Sequence, residues 1–143
     1  METRIKICCI HDIREAETAM RYGASAIGLV AAMPSGPGPI PDELIRQIAA
    51  TTPPPIATFL LTSRTSVREI IEHHRLTHTN TIQIVDALSE GTYAELKSAL
   101  PGVKIVQVVH VLREESVEEA VRISRSVDAI LLDSGNPNLR IKE

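Results

Sequence analysis

Short apolar runs alternate with amphipathic helical stretches along the whole chain, and this alternation limits the possible folds more than any other feature. The runs are Arg4–Ile10, Ala24–Val30, Ile56–Leu61, Thr81–Val85, Val103–Val111 and Ala129–Asp133. Apolar residues occupy both sides of the pleat in each, as in strands buried on both faces of a parallel sheet. Helical spacing appears between them, at Ile13, Ala16, Ala19 and Met20, then over 42–50, then at Val67, Ile70, Ile71 and His74. Gly23 stops the first of these helices. Parallel strands joined through helices need right-handed crossovers. At about 24 residues per unit the repeat is close to the scale of a (β/α)8 TIM-type barrel of about 250 residues once short loops are allowed. The expectation is therefore an α/β fold of the (β/α)8 TIM-barrel type with about six units, in one partial-barrel domain over 1–143, the sixth strand lacking its helix. Six strands do not close such a barrel, so the first and sixth are expected at bare edges, with the barrel continuing past Glu143 in a parent protein.

Helix starts carry their own signals. Asp12 with Glu15, Ser66 with Glu69, Thr92 with Glu95 and Ser116 with Glu119 each have capping-box spacing. The last predicts a fifth helix with Val117, Ala120 and Val121 facing inward. The small residues of the second strand are expected to admit a helix closely. Four prolines and two glycines between Ala31 and Pro41 rule out regular structure there and predict a mobile lid, since proline lacks the N–H groups that would cradle a phosphate.

Charge and composition exclude several function classes. Fifteen Lys plus Arg against eighteen Asp plus Glu, a net charge of −3, leave no basic stripe for a nucleic acid. Aromatic content of 2% leaves no stacking platform for bases. No apolar run reaches the roughly 20 residues that span a bilayer, and Met1–Arg4 is too charged for a secretory signal, which together predict a cytoplasmic chain with no membrane partner. The adjacent Cys8 and Cys9 cannot form an ordinary structural disulfide and are expected reduced. His73, His74 and His78 lack a third ligand at suitable spacing and read as cations at a helix end, so no metal is expected.

Ligands bind at the carboxyl ends of parallel strands. The polar groups that converge there are Lys6, Cys8, the loop beginning at Ser35, Gln83, His110 and Asp133. A thiolate can act as base and a carboxyl group as acid, which makes Cys8 and Asp133 the pair of interest. Cys8 could equally be a small packed hydrophobe, and Asp133 could cap the turn from Ser134 to Pro137. Lys6 could orient a ligand anion or pair with Asp133. Cys9, by strand alternation, is expected to face the helices as packing.

Four strand motifs, in order, carry a resemblance. Lys6-Ile7-Cys8-Cys9-Ile10, Gly23-Ala24-Ser25-Ala26-Ile27-Gly28-Leu29-Val30, Ile82-Gln83-Ile84-Val85-Asp86 and Leu131-Leu132-Asp133-Ser134 resemble the corresponding strands of the phosphoribosylanthranilate isomerase family of tryptophan biosynthesis. The resemblance implies an Amadori rearrangement of an aminoaldose phosphate without metal or organic cofactor, Cys8 as the base and Asp133 as the acid. The resemblance implies a phosphorylated sugar as substrate; the strand-end groups Lys6, Gln83, His110 and Ser35 are then the expected substrate contacts, and a homo-oligomer is a possible partner state. The chain departs from the family pattern at a loop arginine, absent from Ser35–Pro39, and at Cys9, Val85 and His110, where the family has Gly, His and Arg. The family's phosphate-cradling loops would lie past Glu143. These departures motivate an alternative, a divergent or non-catalytic barrel that binds another sugar phosphate, and, less readily, a module that completes its sheet with another chain.

Overall fold

In the computed structural model, residues 3–134 are described. The expected alternation is present: β1 (Lys6–Ile7), α1 (Ile13–Arg21), β2 (Ala26–Val30), α2 (Asp42–Thr51), β3 (Ala57–Thr62), α3 (Val67–Thr77), β4 (Thr81–Ile84), α4 (Tyr93–Ala99), β5 (Lys104–His110), α5 (Glu115–Ser124) and β6 (Ala129–Asp133). The strands form one sheet in the order β1-β2-β3-β4-β5-β6, with every neighbouring pair parallel. Sequential order with all strands parallel is the connectivity of a β/α barrel, and the described residues supply six strands and five helices, with β1 and β6 at the edges of the sheet they form.

The core lies between sheet and helices. Ile10, Ala16, Ile27, Leu29, Ile45, Ile48 and Leu60 fill the amino-terminal side, and Val67, Ile70, Ile82, Ile84, Leu96, Ile105 and Val127 the carboxyl-terminal side. Every residue of β2 and β4 is buried, as two-faced burial requires.

The helix starts divide. Asp12 Oδ1 accepts from Glu15 N at 2.8 Å, and Thr92 and Glu95 form a complete capping box. Ser66 stands at the α3 N-cap without a side-chain bond, and the first helical amide, Val67 N, donates to Glu90 O. The α5 expectation fails: Glu114 is the N-cap, and Ser116, the second residue of the helix, accepts from Leu112 N and Arg113 N. Nor does that helix bury the face expected of it. Val117 and Val121 are 57% and 54% exposed, beside Leu132 of β6 at 64%. Their spacing is amphipathic, but nothing among the described residues covers that side of the edge strand.

The α3 histidines are not solvated dipole partners. His73 is buried, with Nδ1 3.1 Å from Thr62 Oγ1 and Nε2 2.9 Å from Asp42 Oδ1, so it links β3, α2 and α3. His74 is also buried and donates from Nε2 to Thr79 O at 2.6 Å. Burial pushes its imidazole below the ordinary histidine range, against the opposing effect of that hydrogen bond.

Candidate active site

The β1 ladder ends earlier than the apolar run does. Cys9 has φ 58°, in the left-handed region, which breaks the pleat after Ile7, and the chain rejoins the sheet through Ile10 N donating to Gly28 O at 3.1 Å. Cys8 is therefore exposed at the strand's carboxyl end rather than buried within it. The same kink overturns the alternation argument for Cys9. Its thiol donates to Pro37 O at 3.6 Å, and its Cβ packs under Gly38, where an added Cβ would sit only 2.7 Å away. It lies against the proline-glycine loop, not the helices. Burial first, and then the neighbouring Cys8, push the Cys9 thiol above its ordinary value.

Gly28 explains how the two candidate side chains, Lys6 and Cys8, fit on this face. An added Cβ there would lie 2.8 Å from Cys8 Sγ and 3.1 Å from Lys6 Nζ, so both atoms crowd the space above one glycine. Gly28 thus serves the sheet face carrying Cys8 and Lys6, not the close helix approach expected of the second strand. Its register partner on β3 is Phe59, and the Lys6 ammonium reaches 5.3 Å from that ring centroid, within cation–π range. Lys6, Cys8 and Phe59 form one cluster across three strands. Phe59 was not singled out from sequence; it is the chain's only Phe, but nothing local marks it as facing Lys6.

The second cluster is at the opposite edge. His110 and Asp133 are register partners on β5 and β6, Val111 N donates to Asp133 O at 2.7 Å, and His110 Nδ1 lies 3.5 Å from Asp133 Oδ2. Neither ring nitrogen of His110, both buried, makes a hydrogen bond among the described residues. Gln83 is only 5% exposed and its Oε1 is likewise unbonded; through its partner Val106 it sits four residues below the level of His110. Buried polar atoms without partners are rare in proteins and mark places where a ligand or water completes the bonding. Ser35 is exposed in the loop, which is anchored by Cys9 and by Ile40 N donating to Val30 O at 2.9 Å. The turn from Gly135 to Pro137 that Asp133 was considered to cap lies outside the described residues.

A thiol just past β1 and an imidazole–carboxylate pair on β5 and β6 thus stand at the carboxyl ends of parallel strands in a protein of the β/α-barrel class, and these are side-chain types that can exchange protons. The relatives identify which one it resembles. No family model matches the chain. It is 26% identical over 134 residues to the N-(5'-phosphoribosyl)anthranilate isomerase of Methanocella arvoryzae, covering 94% of this chain and 63% of that protein. It is 28% identical over 137 residues to that of Gloeobacter violaceus, covering 94% and 60%. Among solved structures, phosphoribosyl anthranilate isomerase from Thermotoga maritima superposes with a TM-score of 0.77 at 24% identity, covering 96% of this chain and 64% of that one. Another phosphoribosyl anthranilate isomerase, in complex with reduced 1-(o-carboxyphenylamino)-1-deoxyribulose 5-phosphate, gives 0.74 at 25%, covering 92% and 65%. The chain thus spans about 60% of the length of the relatives it matches. The resemblance carried by the four strand motifs extends over nearly all of the chain, and the fold is that of the TIM-barrel-type relatives.

Proposed function

We propose that this chain carries the acid–base groups of a phosphoribosylanthranilate isomerase and takes part in the Amadori rearrangement of N-(5'-phosphoribosyl)anthranilate in tryptophan biosynthesis. The observation that carries this reading is the placement of Cys8 and Asp133 at the carboxyl ends of β1 and β6, in a chain whose relatives bear that name. In the proposed reaction Asp133 protonates the ribose ring oxygen. The C1–O bond breaks as the anilino nitrogen supplies its electron pair, leaving a C1=N iminium. Cys8, as thiolate, removes the proton from C2, and the electrons of that C–H bond form the C1=C2 enolamine. Tautomerisation places a proton on C1 and leaves the ketone at C2. No electron acceptor or metal enters this balance.

The remaining residues take supporting roles in the proposal. Lys6 supplies positive charge beside Cys8 for an anionic part of the substrate, and Gln83 Oε1 and His110 Nε2 offer buried polar atoms without a hydrogen bond that substrate groups would satisfy. Ser35 contacts substrate from the loop. A relative from Thermotoga maritima is described as dimeric, and a homo-oligomer is proposed here too. Among the described residues no helix is long and apolar enough to cross a membrane, which is consistent with the proposed cytoplasmic location. The test is turnover of N-(5'-phosphoribosyl)anthranilate followed by chromatographic separation of the two isomers. Conversion above the uncatalysed rate supports the proposal. No conversion, together with saturable binding of a different phosphorylated sugar, would replace it with the non-catalytic alternative.

A further inference from the structure

Two polar side chains of β5 lie on opposite faces of the sheet. Gln107 is on the helix side, where its Oε1 accepts from the Tyr93 hydroxyl of α4 at 2.9 Å. Side chains alternate along a strand, so His110, three residues on, lies on the interior face with Val106 and Val108. Its register partner Asp133 shares that face. The two ring nitrogens of His110 differ in what they meet. Nδ1 lies 3.5 Å from Asp133 Oδ2, whereas Nε2 is buried with no hydrogen bond among the described residues. A carboxylate oxygen only accepts, so this contact favours the tautomer with its hydrogen on Nδ1 and leaves the Nε2 lone pair open to a donor on a ligand.

The proposed reaction contains a proton with no assigned acceptor. After Cys8 has taken the proton from C2, the enolamine still carries one on O2, which must leave as the ketone forms. We propose that His110 Nε2 is the base that takes this O2 proton, a role that rests on the isomerase reading above. The O2–H electron pair becomes the second C2–O bond, the C1=C2 pair takes a proton at C1 from the Cys8 thiol, and Nε2 binds the proton from O2. The thiolate is thereby regenerated. The order of events suits the pair: Asp133 has already given its proton to the ring oxygen, so a carboxylate stands beside Nδ1 when the ring becomes an imidazolium. Once the product leaves, Nε2 returns its proton to water and Asp133 takes one from water, which closes the cycle.

The test uses the full chain and N-(5'-phosphoribosyl)anthranilate with hydrogen or deuterium at ribose C2, with binding of the reduced product analogue measured in parallel. In His110→Gln, removal of the C2 proton remains while ketonisation slows. The expected result is a kcat lowered by about 10²-fold, the lower end of what a positioned base contributes, with analogue binding retained and a C2 isotope effect on kcat smaller than that of the unsubstituted protein. An unchanged kcat, or an isotope effect that is not smaller, would overturn the role of His110 and leave the isomerase reading standing. Loss of analogue binding in both His110→Gln and His110→Asn would also overturn it, by making His110 a structural or binding residue. Absence of turnover in the unsubstituted protein would overturn the isomerase reading itself, and the role of His110 with it.

Discussion

Replacing Gly28 by Ala tests the geometry that brings Lys6 and Cys8 together. The new Cβ would sit 2.8 Å from Cys8 Sγ, 3.1 Å from Cys8 Cα and 3.1 Å from Lys6 Nζ. Rotation of the thiol and of the flexible lysine relieves two of these contacts, but the backbone contact at Cα remains. Overpacking costs about 1–3 kcal/mol. Because β1 is an edge strand with a two-residue ladder, it can retreat by a few tenths of an ångström, which favours the lower part of that range, ~1–2 kcal/mol. With a urea m-value of about 2 kcal/mol/M, the unfolding midpoint should fall by about 0.5–1 M. Cys8 must also turn away from its place above Gly28, so its alkylation rate should change while secondary structure by circular dichroism is retained. The double variant Gly28→Ala/Cys8→Ala, which removes Sγ, should recover part of the lost stability. A single variant with the wild-type midpoint and wild-type alkylation kinetics would refute the crowding of Cys8 and Lys6 over this glycine.

Other sites give independent tests. Thr92→Ala removes the side-chain acceptor of the α4 capping box and should lower stability by about 1 kcal/mol in urea unfolding. His73→Ala leaves a buried cavity and strips both Thr62 and Asp42 of a partner, so a loss of about 2–4 kcal/mol is expected; a change below ~1 kcal/mol would contradict the linking role assigned to His73. The folded-state pKa of His74 lies below its unfolded value, so the unfolded chain takes up the proton first as pH falls. Stability should therefore be full above the ordinary histidine value and decline as pH drops below about 6.5. His74→Gln should flatten that part of the profile in a series of unfolding curves. Val117→Lys with Val121→Lys should shift stability by no more than about 0.5 kcal/mol per site, since both side chains already face solvent.

What the sequence disclosed was local or periodic. Two-faced apolar runs separated by amphipathic stretches imply parallel strands and crossover helices, and all six strands lie in chain order in the sheet. The Thr92–Glu95 box was readable because both its bonds close within one helical turn. What stayed hidden depended on non-local contacts or on a backbone angle. Nothing in Cys8-Cys9 announces a left-handed φ at Cys9, so alternation sent its thiol to the wrong face. His73 meets Asp42 across 31 residues, which a helix-end reading cannot see. Helical spacing placed Val117 and Val121 on one side of α5 but carries no information about what covers that side. The candidate site was legible as a set of strand ends; its division into a Lys6–Cys8–Phe59 cluster and a His110–Asp133 pair required the register of the sheet.

The most direct test of the proposed chemistry compares the turnover and ligand affinity of Cys8→Ser and Asp133→Asn with those of the unsubstituted protein, using N-(5'-phosphoribosyl)anthranilate for rates and reduced 1-(o-carboxyphenylamino)-1-deoxyribulose 5-phosphate for binding. Positioned acids and bases contribute about 10²–10⁴-fold each, so kcat should fall by that order in either variant while the Kd of the analogue changes little. Normal turnover in either variant would contradict the assignment of Cys8 as base and Asp133 as acid.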